Sequence, residues 1–349
     1  MPNPDDLFAK LRNSKFQSKL DLTKGYWQIP MSLDSKDKTA FVTSDSQYQF
    51  RFLPFGLVVA GAVFTRMMRK LFEEVRNVCS YIDDLLCYNE TWEEHLATLE
   101  TVFKILHEAN LAVKPSKCHF GCADLEFLGH RVGNGQLRAE QHLLEKIQNA
   151  ARPTTKKEVR SFIGLVGFYQ RYIPNFAEIA VPLTDLTRKG QSVKVKWEEP
   201  QERSFQTLKA LLVKPPILQL PDFQKIFVLR TDASDRGIGG ILMQDFDDLL
   251  HPVAYASRKL APREQRYSVI EREALAIVWA IGKFEVYLFG RPFIIQADHK
   301  PLTYIDRSKT LNKRIMRWSM LLQEYRYEVE AIPGKSNCGP DFLSRVQAL

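Results

Sequence analysis

The sequence predicts an α+β protein of more than one domain, and three observations carry that expectation. Short runs of strand-forming residues, several closing on an aspartate, are interspersed with segments whose apolar residues recur at helical spacing. A chain of 349 residues is too long for one ordinary core, so two or three domains are expected. Pro215, Pro216 and Pro221 mark a linker, after which the pattern changes.

Taken in order, residues 5–14 read as a short helix and 16–22 as a strand with Asp21 at its end. Residues 23–30 form an aromatic-rich turn, and 39–43 with 47–52 a hairpin around Ser44-Asp45-Ser46. Leu53-Pro54-Phe55-Gly56-Leu57 breaks that strand, and a helix follows with Phe64, Met67, Met68, Leu71, Phe72 and Val75 as its stripe. Residues 78–88 are two apolar strand-forming runs joined at Asp83-Asp84. Residues 92–109 are amphipathic, and 111–132 hold three short strands. Thr155 with Glu158 three residues on is a capping signal, followed by helix over 162–186 with a break at Pro174. A Trp-Glu-Glu-Pro step at 197–200 opens one more helix, to about Val213. Residues 226–229 form a strand running into Thr231-Asp232-Ala233-Ser234, then a helix over 269–288, a strand over 293–297 and a terminal helix-strand-helix set.

The bulk properties narrow the function classes. No apolar run approaches the roughly 18 residues that span a bilayer, which argues against a membrane protein. The first ten residues carry no signal pattern, and five unevenly placed cysteines point to reduced thiols and an intracellular setting. Net charge is +8, and residues 152–196 hold nine Lys/Arg against three acids, a local +6 that suits a polyanion.

The acids at strand ends fall into two groups. Asp21, Asp83 and Asp84 form the first; Asp232, Glu273, Asp298 and Asp341 the second. An Asp-Asp turn by itself is ordinarily a solvent loop, but several carboxylates at sheet edges are what two-metal phosphoryl transfer requires. Glu273 lies on the stripe continued by Ile277 and Ile281, whereas Glu271 is about 200° away around the helix. Cys118, His119, Cys122 and His130 do not match zinc-site spacing, and His95, His107, His251 and His299 are expected on surfaces or helix faces. Gly237-Ile238-Gly239-Gly240 lacks the Lys-Ser/Thr of a phosphate loop and reads as a turn or close strand packing.

With these residues in hand, the chain resembles the reverse transcriptase–ribonuclease H region of a Ty3/gypsy-type LTR retrotransposon Pol polyprotein over nearly its whole length. Residues 20–29, LDLTKGYWQI, are similar to the family's first polymerase motif; Leu53 to Leu57 resembles its second, Tyr81-Ile82-Asp83-Asp84 its YxDD box and Leu125 to His130 its primer-grip hairpin. The segments around Asp232, Glu273, Asp298 and Asp341 resemble the four acidic motifs of its ribonuclease H. Any one motif is weak; all of them in the family's order are specific.

The resemblance implies a polymerase palm with partial fingers over 1–135, a helical thumb over 136–190, a connector over 191–222 and a ribonuclease H-like mixed sheet flanked by helices over 223–349. It implies an RNA-directed DNA polymerase fused to a nuclease that cleaves the RNA strand of RNA–DNA hybrids. Its partners would be an RNA template, a DNA primer, the hybrid and dNTPs, with Mg²⁺ or Mn²⁺ as cofactor. Asp21 and Asp83 would hold the polymerase metals with Asp84 beside them, and the second acid group those of the nuclease. Tyr26 would exclude a 2′-hydroxyl, Phe55 would line the nucleotide pocket, and Lys156, Lys157, Arg160 and Arg171 would grip the duplex backbone. Localisation would be a cytoplasmic element particle, with the nucleus as the alternative. Only about 20 residues precede Asp21, and Val58-Val59 stands where the family usually shows a polar residue. The alternative expectation is therefore a truncated or host-captured element that binds nucleic acid, with ribonuclease H activity only or none.

Overall fold

Alternation along residues 16–21 sets up the first sheet. Successive side chains of a strand point to opposite faces, so one face takes Leu20 and the other Lys19 and Asp21. The computed structural model describes residues 4–82, 84–213, 216–297 and 313–331. The chain divides into two units, Met1–Gly135 and Gln136–Leu349.

The first unit comprises α1 (Pro4–Lys10), β1 (Phe16–Asp21), α2 (Leu33–Lys36), β2 (Phe41–Val42), β3 (Gln47–Tyr48), α3 (Ala60–Leu71), β4 (Val78–Tyr81), β5 (Asp84–Asn89), α4 (Trp92–Glu108), β6 (His119–Cys122), β7 (Asp124–Phe127) and β8 (His130–Gly133). Strands β4-β5-β1-β6 form an antiparallel sheet in that order. Leu20, Leu85 and Cys87 pack against Phe64 and Met68 of α3 and Val102 and Leu106 of α4. Each such side chain contributes about 1.5–3 kcal/mol by leaving water. Burial pushes the Cys79 and Cys87 thiols up to about 12, so both behave as small apolar groups.

The second unit comprises β9 (Gln136–Ala139), α5 (Gln141–Gln148), α6 (Lys156–Phe168), α7 (Phe176–Ile179), α8 (Val181–Asp185), α9 (Glu199–Val213), β10 (Leu218–Gln219), β11 (Phe227–Ala233), β12 (Gly237–Phe246), β13 (Leu249–Lys259), α10 (Val269–Lys283), α11 (Glu285–Leu288), β14 (Pro292–Ala297), α12 (Lys313–Gln323) and β15 (Arg326–Ala331). The main sheet runs β13-β12-β11-β14-β15, antiparallel on one side of β11 and parallel on the other. This is the expected mixed sheet. Ala274, Ile277 and Ile281 of α10 close its core over Phe227, Leu229 and Leu242. A Cβ on Gly240 would stand 3.0 Å from that of Ala280, so the glycine segment serves close packing of helix on strand.

Two local expectations need correction. The Thr155–Glu158 capping signal does start a helix, α6 at Lys156, but that helix stops at Phe168, short of the break expected at Pro174. Pro174 cannot extend a helix and Asn175 is left-handed (φ 52°), so the expected break is there, and the remainder divides again into α7 and α8. The helix over 269–288 breaks at Phe284, between α10 and α11. His95, expected on a surface or helix face, stands on a helix face, and that face is the buried inner side of α4. Its Nε2 lies 2.7 Å from Ser18 Oγ and its Nδ1 3.0 Å from Asn89 Oδ1, which satisfies both ring nitrogens.

Candidate active sites

In the first unit, Asp21 ends β1 and Asp84 begins β5, and the two are directly opposite in the antiparallel ladder. Their side chains therefore share one face of the sheet. Tyr81 pairs with Asp84, which leaves a tight two-residue turn between them. Ile82 in that turn has φ +53°, a conformation that a β-branched residue adopts only under strain, of order 1–3 kcal/mol. Such strain is concentrated where a loop must hold a particular shape. Asp83 lies outside the described residues.

Two like charges facing each other across a ladder repel unless they are compensated. Here each has a lysine: Lys19 Nζ is 3.2 Å from Asp84 Oδ2, and Lys117 Nζ is 3.4 Å from Asp21 Oδ2. Sequence reasoning missed both. Lys19 was detectable, since it stands two residues before Asp21 on the same strand face. Lys117 was not, being 96 residues away along the chain. Nearby, Tyr26 follows the left-handed Lys24 in a 3₁₀ turn (Gly25–Gln28), with its ring centroid 5.3 Å from Phe55 and 5.4 Å from the buried Phe64. Trp27 also meets Phe55 at 5.8 Å, and Phe55 is 58% exposed, so an aromatic wall is presented to solvent.

In the second unit, Asp232 lies near the end of β11, opposite Gly239 of β12. It lines a recess together with Arg230, Gly239, Tyr255 and Asn175. Arg230 Nε donates to Gln296 Oε1 at 2.5 Å, and Gln296 Nε2 donates to Glu330 Oε2 at 2.7 Å, a polar ladder across three adjacent strands. The first turn of α10 is tied to this strand end. Arg272 Nη1 donates to the Ser234 carbonyl at 3.0 Å and pairs with Asp235. Glu273 is the next residue, so Asp232 and Glu273 stand on two elements fastened together beside them. Glu271 is committed elsewhere: its carboxylate accepts from the Ser268 backbone at 3.0 Å and hydroxyl at 3.1 Å in a capping box. Asp298 and Asp341 lie outside the described residues.

The four expected duplex-gripping residues differ in their surroundings. The Lys156 ammonium donates to the Arg188 carbonyl, and Arg160 Nη2 to that of Thr187 at 3.1 Å, so both hold the chain just after α8. Arg171 reaches the Tyr287 hydroxyl at 3.4 Å. Lys157 is exposed on the outer face of α6.

Both sites offer hard carboxylate oxygens on adjacent rigid elements, a donor set that fits Mg²⁺ or Mn²⁺ rather than softer ions. Among the described residues no group of three or more His, Cys, Asp or Glu is close enough to hold a metal, and Asp83, Asp298 and Asp341 would have to complete each set.

Comparison with known proteins bears on both units. The reverse transcriptase (RNA-dependent DNA polymerase) family matches residues 2–132, and the RNase H-like domain found in reverse transcriptase matches residues 222–325. Domains of both kinds generally depend on divalent metals. The retrovirus-related Pol polyprotein from transposon 297 of Drosophila melanogaster is 39% identical over 349 residues, covering 99% of this chain and 32% of that protein. The corresponding polyprotein from transposon gypsy of the same organism is 36% identical, over 99% of this chain and 34% of its own length. The chain thus spans about a third of the length of these relatives. A solved foamy viral protease-reverse transcriptase in complex with RNA/DNA hybrid superposes with a TM-score of 0.81 at 27% identity, covering 94% of this chain and 45% of that one.

Proposed function

We propose that the chain is the polymerase–nuclease segment of a Ty3/gypsy-type retrotransposon Pol protein, supported by the match of residues 2–132 to the reverse transcriptase family and of residues 222–325 to the RNase H-like domain found in reverse transcriptase. It extends a DNA primer on an RNA template with dNTPs and cleaves the RNA strand of the resulting hybrid. Residues 1–135 act as palm with partial fingers, 136–190 as thumb, 191–222 as connector and 223–349 as ribonuclease H.

The facing pair Asp21 and Asp84 at the strained hairpin carries this reading. Asp21 and Asp83 would hold Mg²⁺ or Mn²⁺ with Asp84 beside them, and Asp232, Glu273, Asp298 and Asp341 would hold the ions of the nuclease. When bound, such ions activate the attacking oxygen and stabilise the leaving one. The remaining roles belong to the chain itself. The Tyr26 ring, braced by Phe64, would lie where a 2′-hydroxyl would otherwise fit, and Phe55 would wall the nucleotide pocket. Lys156, Lys157, Arg160 and Arg171 belong to a basic tract suited to phosphate contacts, Lys157 with its charge turned to solvent.

The test is a paired assay of primer extension and hybrid cleavage in Mg²⁺ on the wild type, Asp21→Asn and Asp232→Asn. Each substitution is expected to remove one activity and spare the other. Cleavage without extension in the wild type would leave only the nuclease reading standing. Loss of neither activity on Asp232→Asn would sink the assignment of the second site.

A further inference from the structure

The two lysines at the first site are not equivalent. Lys19 belongs to β1 and stands opposite Leu86, diagonal to Asp84 on the face that both aspartates share. Its side chain is 22% exposed and that of Asp84 23%. Lys117 arrives from the loop before β6, and its side chain is 57% exposed. A half-exposed lysine on a long stem can withdraw into water when a dication approaches Asp21. Lys19 cannot leave without abandoning a mostly buried carboxylate, which is costly for both partners.

We propose that Lys19 is a positioning residue that permanently neutralises Asp84, so that Asp84 orients the hairpin while Asp21 is the carboxylate offered to the metal. Lys117 is then the displaceable counter-ion of the pair. The inference rests on reading this site as a divalent-metal centre. It assigns different work to two aspartates that face each other in the same ladder, and the difference comes from their lysines.

The experiment uses the full chain carrying Asp232→Asn, Glu273→Gln and Asp298→Asn throughout, so that what is left of the second carboxylate group contributes little and equally to every variant compared. Mn²⁺ is titrated in and the free ion followed by electron paramagnetic resonance. Asp21→Asn is expected to weaken binding about tenfold or more because it removes a ligand, and Asp84→Asn by less than about threefold because it removes none and only leaves the Lys19 charge uncompensated. Lys19→Met should tighten binding about tenfold by releasing Asp84 as a ligand, and the gain should vanish in Lys19→Met/Asp84→Asn. Lys19→Arg should behave as wild type. A gain that survives in the double variant means that Lys19 merely repels the ion, which overturns the proposal. So does an Asp84→Asn defect as large as that of Asp21→Asn. If Asp21→Asn leaves Mn²⁺ binding unchanged, the metal-centre reading itself fails. The pairing is then judged by urea unfolding, where Lys19→Met and Asp84→Asn should shift the midpoint non-additively; additive shifts overturn it.

Discussion

Glu271 and Glu273 stand two residues apart on α10, yet substituting them should have opposite consequences. Glu271 closes the capping box: it accepts from Ser268 N at 3.0 Å and Oγ at 3.1 Å, while its own N–H donates to Ser268 Oγ at 3.3 Å. Arg314 lies 3.5 Å from the same carboxylate, whose side chain is only 15% exposed. Glu271→Ala removes the return half of the box and a negative charge from the positive end of the helix, together about 1 kcal/mol. For a unit of this size that lowers Tm by about 2–4 °C. Glu273→Gln keeps the shape and touches no cap, so Tm should move by about 1 °C or less. Loss of Glu273 in its proposed role as a metal ligand should cost at least the roughly 100-fold that disturbing an outer partner can. Cleavage of a labelled RNA–DNA hybrid in Mg²⁺, read beside thermal unfolding, measures both. Cleavage abolished in Glu271→Ala at unchanged Tm, with Glu273→Gln still active, would refute the assignment.

Two further outcomes follow from the geometry. Burial holds the His95 imidazole below its ordinary 6.5. The unfolded chain therefore takes up a proton that the folded chain refuses, and stability present above pH 6.5 is lost as pH falls below it. His95→Gln should flatten urea-unfolding midpoints between that value and about pH 5, and an unchanged slope would exclude His95 as the source. Lys157→Ala should lower the salt slope of hybrid binding by about one at constant Tm, whereas Lys156→Ala, which removes the donor to the Arg188 carbonyl, should chiefly lower Tm. The reverse pattern would exchange their roles.

Much of the fold was legible because the signals are local. Helical stripes, the Thr155–Glu158 cap and the run into Asp232 depend on neighbours within a few residues, and each reappears in α6, α10 and β11. Where local signals competed, the reading slipped. The break at Pro174 was expected, but the apolar pattern continues past Phe168, where α6 already ends. That His95 stands on the inner face of its helix was not legible, because nothing nearby announces Ser18, 77 residues earlier, as its partner. Likewise, the charge run over 152–196 could not say that Lys156 and Arg160 hold backbone carbonyls while Lys157 stays outside.

The sequence by itself determined that Asp21 and Asp232 stand at strand ends, that Glu273 and not Glu271 follows the apolar stripe, and in what order the motifs occur. These are matters of periodicity and spacing. Only the tertiary structure decided that Asp21 faces Asp84, that each meets its own lysine, and that Arg272 fastens α10 to the strand of Asp232. Strand register and loop closure join residues from 63 to 96 positions apart in the first unit. A periodic signal of two or four residues carries no information over such distances, and the electrostatics of the first site are settled there.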